Sequence, residues 1–581
     1  MTTTLFYGGD ILTCDRNHST AEAIAIRKGR ILAVGPRPAV EALAGTGCRR
    51  IDLDGATLIP GLIDTHPHMM HFGLFDAFCA DLSDAVDHAD IVARLQARAG
   101  TTKAGKWVLG SPVGDAHYFV ERSWRDLKEG VLPDRCVLDR VSTRHPVMIL
   151  AYAPSTPATI TMNSMALDML GLTAETPDQV GKVWIEKDAA GEPTGRLSGS
   201  VNTYYNDEPF WDDMLSQILK PGLQLMISAT RNSMKAYHAL GVTTVYEGHA
   251  MSMQQIAGYK LMHRLGMLTM RVLACPEAEP HGTIWDRPLS DKAFDKQLKK
   301  AAAMVNRSGD MLRIDGVTIG RGGPCEPGFM LMREPYKGPY GEMTTGQSLM
   351  SKQRAEHAIR FCREHGVRLN IVTAGTQEHD DYLAYFDTLD SAQLSADDRA
   401  WILQHIYFME EEQARRFGAY GFDVTTSHSF TWGEGDLFRA RIGDACLKDL
   451  IPIRRLMDHG MRVACGSDWG PKNIFHHMAL AVEPVFGGSG DKNAGPAQVI
   501  SREEALAAWT REAAHVLRWD KIGTLAAGNH ADLAIIDRNP ITAPLPTLAD
   551  TIVHATIIGG KCVHGMDYLA AKGWRQRRWF A

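Results

Sequence analysis

The sequence predicts an α/β fold in which a large domain of strand–helix units carries a smaller β domain formed by both ends of the chain. Beyond about residue 225, short apolar strand patterns alternate with helical patterns, which is typical of βα units. The two ends of the chain instead show strand patterns separated by glycine turns. With 581 residues and 45% hydrophobic content, the chain is long enough to fill more than one domain.

Each end of the chain supplies half of the predicted β domain. The N-terminal strand patterns lie at 5–13, 23–26 and 30–35, and the pairs Gly8-Gly9 and Lys28-Gly29 predict tight turns between them. The C-terminal patterns lie at 531–537 and 552–563. Two separate half-sheets would each leave unpaired edges, so we expect residues 1–57 and 524–565 to pair in one composite domain. An independent N-terminal β module is the alternative.

Eight strands are predicted for the large domain, which spans residues 58–523. They are the run at Leu58 and the segments Thr243–Tyr246, Met270–Ala274, Ile314–Ile319, Val367–Val372, Trp401–Leu403, Val424–Thr426 and Arg462–Ala464. The helices predicted between the later strands are Ser351–His365, Asp381–Leu389 and Pro452–His459. An insertion at about 70–225 contains a helical stretch at Ala89–Ala99 and a strand pattern at Pro146–Leu150.

The first of these strands ends in two histidines, His66 and His68, separated by one residue. Residues i and i+2 of an extended chain point to the same face, so the two imidazoles should project together. Two imidazoles on one face make half of a metal site. Taken alone, the pair is equally well explained as two solvated loop histidines.

The run Pro60-Gly61-Leu62-Ile63-Asp64-Thr65-His66-Pro67-His68 resembles the first-strand signature of the amidohydrolase superfamily. Residues 523–533 are similar to its GxLxxGxxADL signature, and the order of elements in the insertion resembles amidohydrolase family 3, the branch that contains N-substituted formamide deformylase. The resemblance implies a (β/α)8 TIM barrel with its ligands at the carboxyl ends of the strands. It also implies a small composite β-sandwich domain built from both termini.

The resemblance also implies a metal site and its chemistry. His405 matches the family's sixth-strand histidine, and Asp468 in Gly466-Ser467-Asp468-Trp469 matches its eighth-strand aspartate. The implied ligands are His66, His68, His405 and Asp468, and the implied catalytic residues are Asp468 and His405. In such enzymes a divalent ion polarises the scissile carbonyl and lowers the pKa of water toward ~7. The aspartate then accepts a proton and passes it to the leaving nitrogen.

Two ligands of the family's binuclear site are replaced in this sequence. Thr318 stands where relatives carry a bridging lysine, and Val372 or Thr373 stands where they carry a fifth-strand histidine. We therefore expect one divalent ion, with zinc favoured, held by His66, His68 and Asp468. Three protein ligands and a water are the usual catalytic arrangement for zinc. His405 is expected either as a fourth ligand or as a hydrogen-bond donor to the substrate.

Other strand ends offer further polar and aromatic side chains. Cys325 and Glu326 follow a glycine-rich loop, and either this pair or Glu247 with His249 could add a ligand, although contact with the substrate is favoured for both. The aromatic and imidazole side chains suggest a partly aromatic pocket. The predicted substrate-binding residues are Glu247, His249, His428, Trp432 and Trp469. Relatives carry a histidine before the Asn163-Ser164 pair, whereas 154–158 is Pro-Ser-Thr-Pro-Ala, so no role is carried over there.

Composition and charge narrow the class of protein. The net charge of −6 and the absence of a long basic run give no indication of nucleic-acid binding. No signal-like opening and no run of about 18 apolar residues occur, so we expect a cytoplasmic protein without a membrane segment. Ten cysteines without a CxxC pair fit reduced thiols. The expected partner is a small-molecule substrate, and a homodimer is an oligomeric state that the sequence permits.

The predicted function is hydrolysis of a C–N bond in a small amide, formamide or N-acyl compound. Two alternatives stay open at this stage. Because ligands are replaced, the same barrel could support a metal-dependent lyase, decarboxylase or isomerase. A non-catalytic binding protein is the second alternative, and the presence of His66, His68 and Asp468 argues against it.

Overall fold

The structure is a computed structural model that describes residues 3–114, 118, 120–151, 155–218, 222–282, 286, 288–389, 400–492, 495 and 497–575. Residues 1 and 2 of the predicted β domain, Pro154 of the 154–158 stretch and parts of the predicted insertion lie outside this range. The strands, in chain order, are β1 Thr4–Leu12, β2 Thr20–Arg27, β3 Arg30–Gly35, β4 Arg49–Asp52, β5 Thr57–Pro60, β6 Leu62–Asp64, β7 Cys79–Ala80, β8 Val108–Gly110, β9 Val147–Ile149, β10 Ala158–Met162, β11 Gln179–Val180, β12 Val183–Lys187, β13 Pro193–Gly199, β14 Val242–Glu247, β15 Arg271–Ala274, β16 Leu312–Ile314, β17 Val317–Gly320, β18 Tyr336–Lys337, β19 Met343–Thr344, β20 Leu369–Thr373, β21 Ile402–His405, β22 Asp423–Thr426, β23 Val463–Cys465, β24 Leu533–Ile536, β25 Val553–Ile558 and β26 Lys561–His564.

The helices separate these strands and cover them on the outside. In chain order they are α1 Arg37–Ala44, α2 Met69–Phe78, α3 His88–Thr101, α4 Arg135–Leu138, α5 Ser164–Leu170, α6 Pro209–Ile218, α7 Leu223–Ala239, α8 Met253–Arg264, α9 Asp291–Ala303, α10 Lys352–His365, α11 Thr376–Phe386, α12 Glu411–Ala419, α13 Ser429–Ile442, α14 Ile453–Asp458, α15 Ile474–Val482, α16 Arg502–Ala508, α17 Arg511–Val516 and α18 Met566–Ala571. Among the described residues, no helix combines the length and hydropathy that crossing a membrane requires.

The large domain contains a barrel of parallel strands in chain order. One sheet runs β6, β14, β15, β16 and the other runs β17, β20, β21, β22, β23. The segments β16 and β17 are two parts of the fourth strand, interrupted at Asp315-Gly316, where Gly316 has a φ of 96°. The predicted strand Ile314–Ile319 is therefore broken. The Thr65 N–H donates to the Cys465 carbonyl over 3.3 Å and joins the last strand to the first, so the barrel closes.

The predicted strand at Leu58 is two strands with different partners. β5 pairs with β1 and β24 in the terminal sheet, whereas β6 pairs with β14 in the barrel. Gly61 lies between them, and a Cβ there would lie 2.3 Å from the side chain of Thr243. This glycine lets the chain pass from the sheet into the barrel, and the change places the histidine motif at a barrel strand end.

The two ends of the chain form one hydrogen-bonded sheet in the order β26-β25-β24-β5-β1-β2-β3, with β4 also paired to β1. Apolar side chains from both ends, including Phe6, Leu58 and Ile557, share one buried cluster. Gly8-Gly9 is a bulge within β1 and not a turn, because the pairing with β2 shifts register between Tyr7 and Ile11. We propose that this sheet, with 1–57 and 524–565, is a separate composite domain.

The insertion contains a sheet that the sequence analysis missed. Seven short strands pair in the order β11-β12-β13-β10-β9-β8-β7. Most of them have two to five residues, too few for a clear alternation of apolar and polar side chains. After this sheet the chain passes over the barrel at Tyr204 and Tyr205, and it thereby brings aromatic side chains to the carboxyl ends of the strands.

Candidate metal centre

His66 and His68 lie in the short segment between β6 and α2. Both side chains are buried, and their Nε2 atoms are 3.2 Å apart. His68 directly precedes α2 and has a left-handed backbone, with a φ of 47°. The sequence prediction that the two imidazoles project together is matched by this geometry.

Asp468 follows β23 and is positioned next to the histidine segment. Its N–H donates to the His66 carbonyl over 2.7 Å. Its Oδ1 atom lies 3.2 Å from His68 Nε2 and 3.9 Å from His66 Nε2, and it accepts no hydrogen bond from the described residues. A Cβ at Gly466 would lie 2.4 Å from the His66 nitrogen, so only glycine allows the two segments to come this close.

His405, the last residue of β21, brings a fourth donor to the same point. Its Nε2 lies 3.4 Å from His66 Nε2 and 3.3 Å from Asp468 Oδ2. Histidine, cysteine, aspartate and glutamate side chains can bind a metal ion. In the part of the chain that the structure describes, His66, His68 and Asp468 are the only group of three or more of these residues whose donor atoms all lie within 4.8 Å of one another. His405 extends this triad at its edge.

The electrostatics of the cluster suit a bound cation. Burial lowers the pKa of His66 and His68 well below the usual value and lowers the pKa of His405 to about 3, so the three imidazoles are neutral. Burial also raises the pKa of Asp468, although the neighbouring His405 opposes that shift. Neutral imidazole nitrogens and a carboxylate oxygen without a donor are the ligand set of a divalent transition metal, so these residues fit one.

The backbone holds the donors in an uncommon conformation. His68, His405 and Asp468 all have positive φ, at 47°, 69° and 49°. Residues other than glycine seldom adopt this conformation, and it concentrates at functional sites. The carboxylate of Asp64 links two of the segments, since it accepts from the His66 N–H and from the Ser467 hydroxyl.

Side chains of the neighbouring strands β17 and β20 are hydrogen-bonded to each other and to the backbone after β14. The Thr318 hydroxyl donates to the Gly248 carbonyl over 2.6 Å. The Asn370 amide donates to the same carbonyl and to Thr318 Oγ1, over 2.7 and 2.8 Å. Thr318 occupies the position expected for a bridging lysine, and its hydroxyl is already engaged in this polar network. No side chain at that position offers a metal ligand comparable to the lysine.

A small cavity lies next to the donor cluster and is lined by His68, His405 and Asp468 among others. Its walls are mostly aromatic, and within the described residues no lysine or arginine lines it. The lining side chains and backbone atoms come from His68, Tyr118, Tyr204, Tyr205, His249, Ala250, Gly282, Pro324, His405, Tyr407, Glu434, Asp468 and Trp469. Tyr204 packs edge-on against Trp469, with 4.6 Å between ring centroids.

Two of the five predicted substrate-binding residues, His249 and Trp469, lie in this cavity. The ring of His249 is held between the Tyr205 hydroxyl, which contacts its Nε2, and Glu277, whose Oε1 is 3.5 Å from its Nδ1. Trp469 lies beside His68, with 6.0 Å between ring centroids.

Glu247, His428 and Trp432 are not among the described residues that line the cavity, and their prediction as substrate contacts stays a prediction. The Glu247 carboxylate accepts from Tyr259 Oη and from the Met70 N–H, and it anchors the start of α2. His428 packs beside Cys465, with 3.9 Å between Nδ1 and Sγ. Trp432 packs against His476, with 5.7 Å between ring centroids.

Several cavity residues were missed by the sequence analysis. Tyr204 and Tyr205 come from the end of the insertion, and Tyr407 follows His405 by two residues. Glu434 lies on α13, two residues after Trp432. A motif can point to residues next to it, as it did for Trp469, but an inward-facing carboxylate in the middle of a helix has no signal of its own in a single sequence.

The comparisons with known proteins agree with this geometry. A sequence profile described as "Amidohydrolase family" matches residues 49–564. N-substituted formamide deformylase from Arthrobacter pascens is 25% identical over 96% of this chain and 97% of its own length. An uncharacterized metal-dependent hydrolase from Pyrococcus horikoshii OT3 superposes with a TM-score of 0.70 at 19% identity, over 94% of this chain and 99% of that one. Atrazine chlorohydrolase TrzN from Arthrobacter aurescens TC1, in complex with zinc, has a TM-score of 0.51 at 16% identity, over 96% and 94%.

Proposed function

The chain belongs to the amidohydrolase family and is a metal-dependent hydrolase of C–N bonds, and we propose that its substrates are small N-formyl or N-acyl compounds cleaved at a single metal ion. The observation that carries the proposal is the convergence of His66, His68 and Asp468 beneath a narrow aromatic cavity. The cavity is small and lined mainly by aromatic rings, which favours a compact substrate. The A. pascens relative is named for a reaction of this class.

His66, His68 and Asp468 would hold the ion, and His405 would either complete the set or bind the substrate. A divalent ion, with zinc favoured, supplies Lewis acidity that polarises a carbonyl and lowers the pKa of water. The single-ion stoichiometry is supported by the Thr318 and Asn370 network, which occupies the place of a bridging ligand.

Asp468 is the residue proposed to move the proton. Its Oδ1 atom accepts no hydrogen bond and its side chain lines the cavity, so it is free to accept a proton from the attacking water and pass it to the leaving nitrogen. The Asp468 backbone is fixed by its N–H bond to His66 and by Lys472, whose ammonium group donates to the Asp468 carbonyl. This anchoring keeps the carboxylate oriented while its protonation changes.

The aromatic walls orient the substrate and exclude water. Tyr205, held by His249, presents a phenol ring to the cavity, and Tyr407 and Trp469 bound it on other sides. Exclusion of bulk water strengthens the electrostatic interactions of Asp468 and His405 with a developing charge.

The test is a product assay on the metal-loaded protein with a panel of N-alkyl and N-arylalkyl formamides and acetamides. Formate or acetate and the free amine should appear in equal amounts. Treatment with a chelator should abolish the release and added zinc should restore it. Absence of amine release from every member of the panel, with metal present, would refute this choice of substrate class.

A further inference from the structure

Two buried carboxyl groups, one in the cavity wall and one that interacts with it, have no part in the mechanism above. Glu434 lines the cavity together with His68, His405 and Asp468, and Glu326 interacts with Glu434. Both glutamates are only 2% exposed. A buried carboxylate is costly unless it is paired with a cation or well hydrogen-bonded.

These carboxyl groups have no cationic partner in the described structure. Among the described residues, no side chain other than that of Glu434 is hydrogen-bonded to the Glu326 carboxyl group, and Glu434 Oε2 lies without a donor in normal geometry. Tyr118 donates to Glu434. The nearby Arg441 guanidinium is committed to backbone carbonyls, those of Cys325, Glu326 and Thr156.

Burial raises the pKa of both glutamates, and for Glu434 the neighbouring Glu326 and Asp468 raise the pKa further. Two carboxyl groups in such an environment do not both ionise readily, and a cation beside them would favour the charged form. Glu434 thus brings an acidic pair to the cavity wall, in addition to Asp468, and because no described lysine or arginine lines the cavity, a countercharge would have to come from a bound group.

A second metal ion is a poor candidate for this countercharge. Within the described residues, no third histidine, cysteine, aspartate or glutamate forms a donor cluster with Glu326 and Glu434. The other walls are aromatic rings. They are the phenol rings of Tyr118, which packs over Gly433, and of Tyr407, and the indole ring of Trp469. Aromatic faces attract organic cations, most strongly where the cation is removed from water.

We propose that the Glu326–Glu434 pair binds a cationic nitrogen group of the substrate, an ammonium or a guanidinium, while the scissile acyl group lies at Asp468 and the histidines. This inference deepens the proposed function and rests on it for the reaction. The substrate class becomes an N-formyl or N-acyl derivative of a diamine or of an amine that carries a guanidine.

The binding test uses two probes of the same shape and different charge, butylguanidinium and butylurea, titrated calorimetrically into the metal-loaded protein. Butylguanidinium should bind about tenfold or more tightly than butylurea, because a charge-assisted hydrogen bond to a buried carboxylate is among the stronger ones. Equal or weaker binding of butylguanidinium would overturn the proposal.

Glu434→Gln and Glu326→Gln remove the charge and retain the size of each side chain. Either variant should bring butylguanidinium binding to within about threefold of butylurea, since the charge-assisted bond is lost. Asp436→Asn is the matched control, because Asp436 lies on the same helix outside the cavity and accepts from the Ser489 N–H. It should keep the full preference, and a preference that survives in both folded glutamine variants contradicts the proposal.

A crystal of the wild-type protein soaked with butylguanidinium decides the location without any variant. The guanidinium should lie within hydrogen-bond distance of Glu434 or Glu326, and a guanidinium bound elsewhere overturns the proposal.

A separate experiment compares release of formate from N-(4-aminobutyl)formamide and from N-pentylformamide. If neither is hydrolysed, the proposed reaction fails on these substrates, while the probe binding and the crystal still decide whether a cation site exists.

Discussion

Two polar regions of the barrel differ in how far their side chains are hydrogen-bonded. On the donor side, formed by His66, His68, His405 and Asp468, ring nitrogens and a carboxylate oxygen approach one another within 3.2–3.9 Å. On the bonded side, formed by Thr318, Asn370 and Gly248, the Thr318 hydroxyl and the Asn370 amide N–H groups are hydrogen-bonded over 2.6–2.8 Å, and Asn370 Oδ1 alone has no partner among the described residues. The donor side needs a ligand to complete it, whereas on the bonded side the donor groups are paired with one another and with the backbone.

This difference supports our proposal that a binuclear type of site has become a mononuclear one in this chain. Replacement of a bridging lysine by threonine would leave a gap if nothing else changed. Here Asn370 and the Gly248 carbonyl close the gap with hydrogen bonds, and each is worth about 1 kcal/mol. The four following predictions address one side or the other.

The largest effect is expected from removal of a donor-side imidazole. His66→Ala or His68→Ala should lose the metal and fall to the activity of the metal-free protein, because two protein ligands do not hold a catalytic zinc well. Metal content and amine release are measured on the same preparation. His263→Ala, at an exposed position near the end of α8, is the control and should retain both.

Asp468→Asn separates the two roles proposed for this carboxylate. The amide keeps an oxygen near His68 Nε2 but accepts no proton, so the metal should stay while turnover falls by ~10²- to 10⁴-fold. Near wild-type turnover with metal bound would move the proton transfer to another group, such as His405.

Glu247→Gln should have a small effect, because Glu247 supports the donor side without belonging to it. Its Oε1 accepts from Tyr259 and from the Met70 N–H, and a glutamine oxygen can accept both bonds. Burial already raises the pKa of Glu247 to about 7, so a neutral side chain fits this position. We expect full metal content and a change in kcat/KM below about tenfold. Loss of metal would instead make Glu247 a ligand.

Thr318→Val tests the bonded side and should change stability alone. The Asn370 amide and the Gly248 carbonyl lose a partner, which should lower the free energy of unfolding by about 1–3 kcal/mol. Metal content should not change. Denaturant unfolding and elemental analysis check this, with Thr101→Val at the exposed end of α3 as the control. A fall in metal content would show that the bonded side contributes to the metal site.

The barrel and the metal triad were within reach of sequence reasoning, because the HxH segment, Gln404-His405 and Gly466-Ser467-Asp468 each follow an apolar strand. The segment at Leu58 was harder. A single apolar run is divided there between two sheets at Gly61, and only the tertiary partners of β5 and β6 reveal the division. The sheet of the insertion escaped because its strands are short.

The cavity walls were predictable only where they adjoin a motif. Trp469 follows Asp468 directly and was predicted. Glu326 was considered as an extra ligand or a substrate contact, and Glu434 was not considered. Their relation depends on how α13 packs against the loop after β17, which no local pattern reports. His428 and Trp432 were predicted as cavity residues from their type, and the structure shows His428 beside Cys465 and Trp432 against His476.

The central claim is that this hydrolase holds one divalent ion, on the donor side. The most direct measurement is elemental analysis of the purified, mildly dialysed protein against chain concentration, combined with a crystal structure of the metal-loaded form. We predict about one ion per chain, in contact with His66, His68 and Asp468. Two ions per chain, both visible as a bridged pair in the structure, would contradict the account.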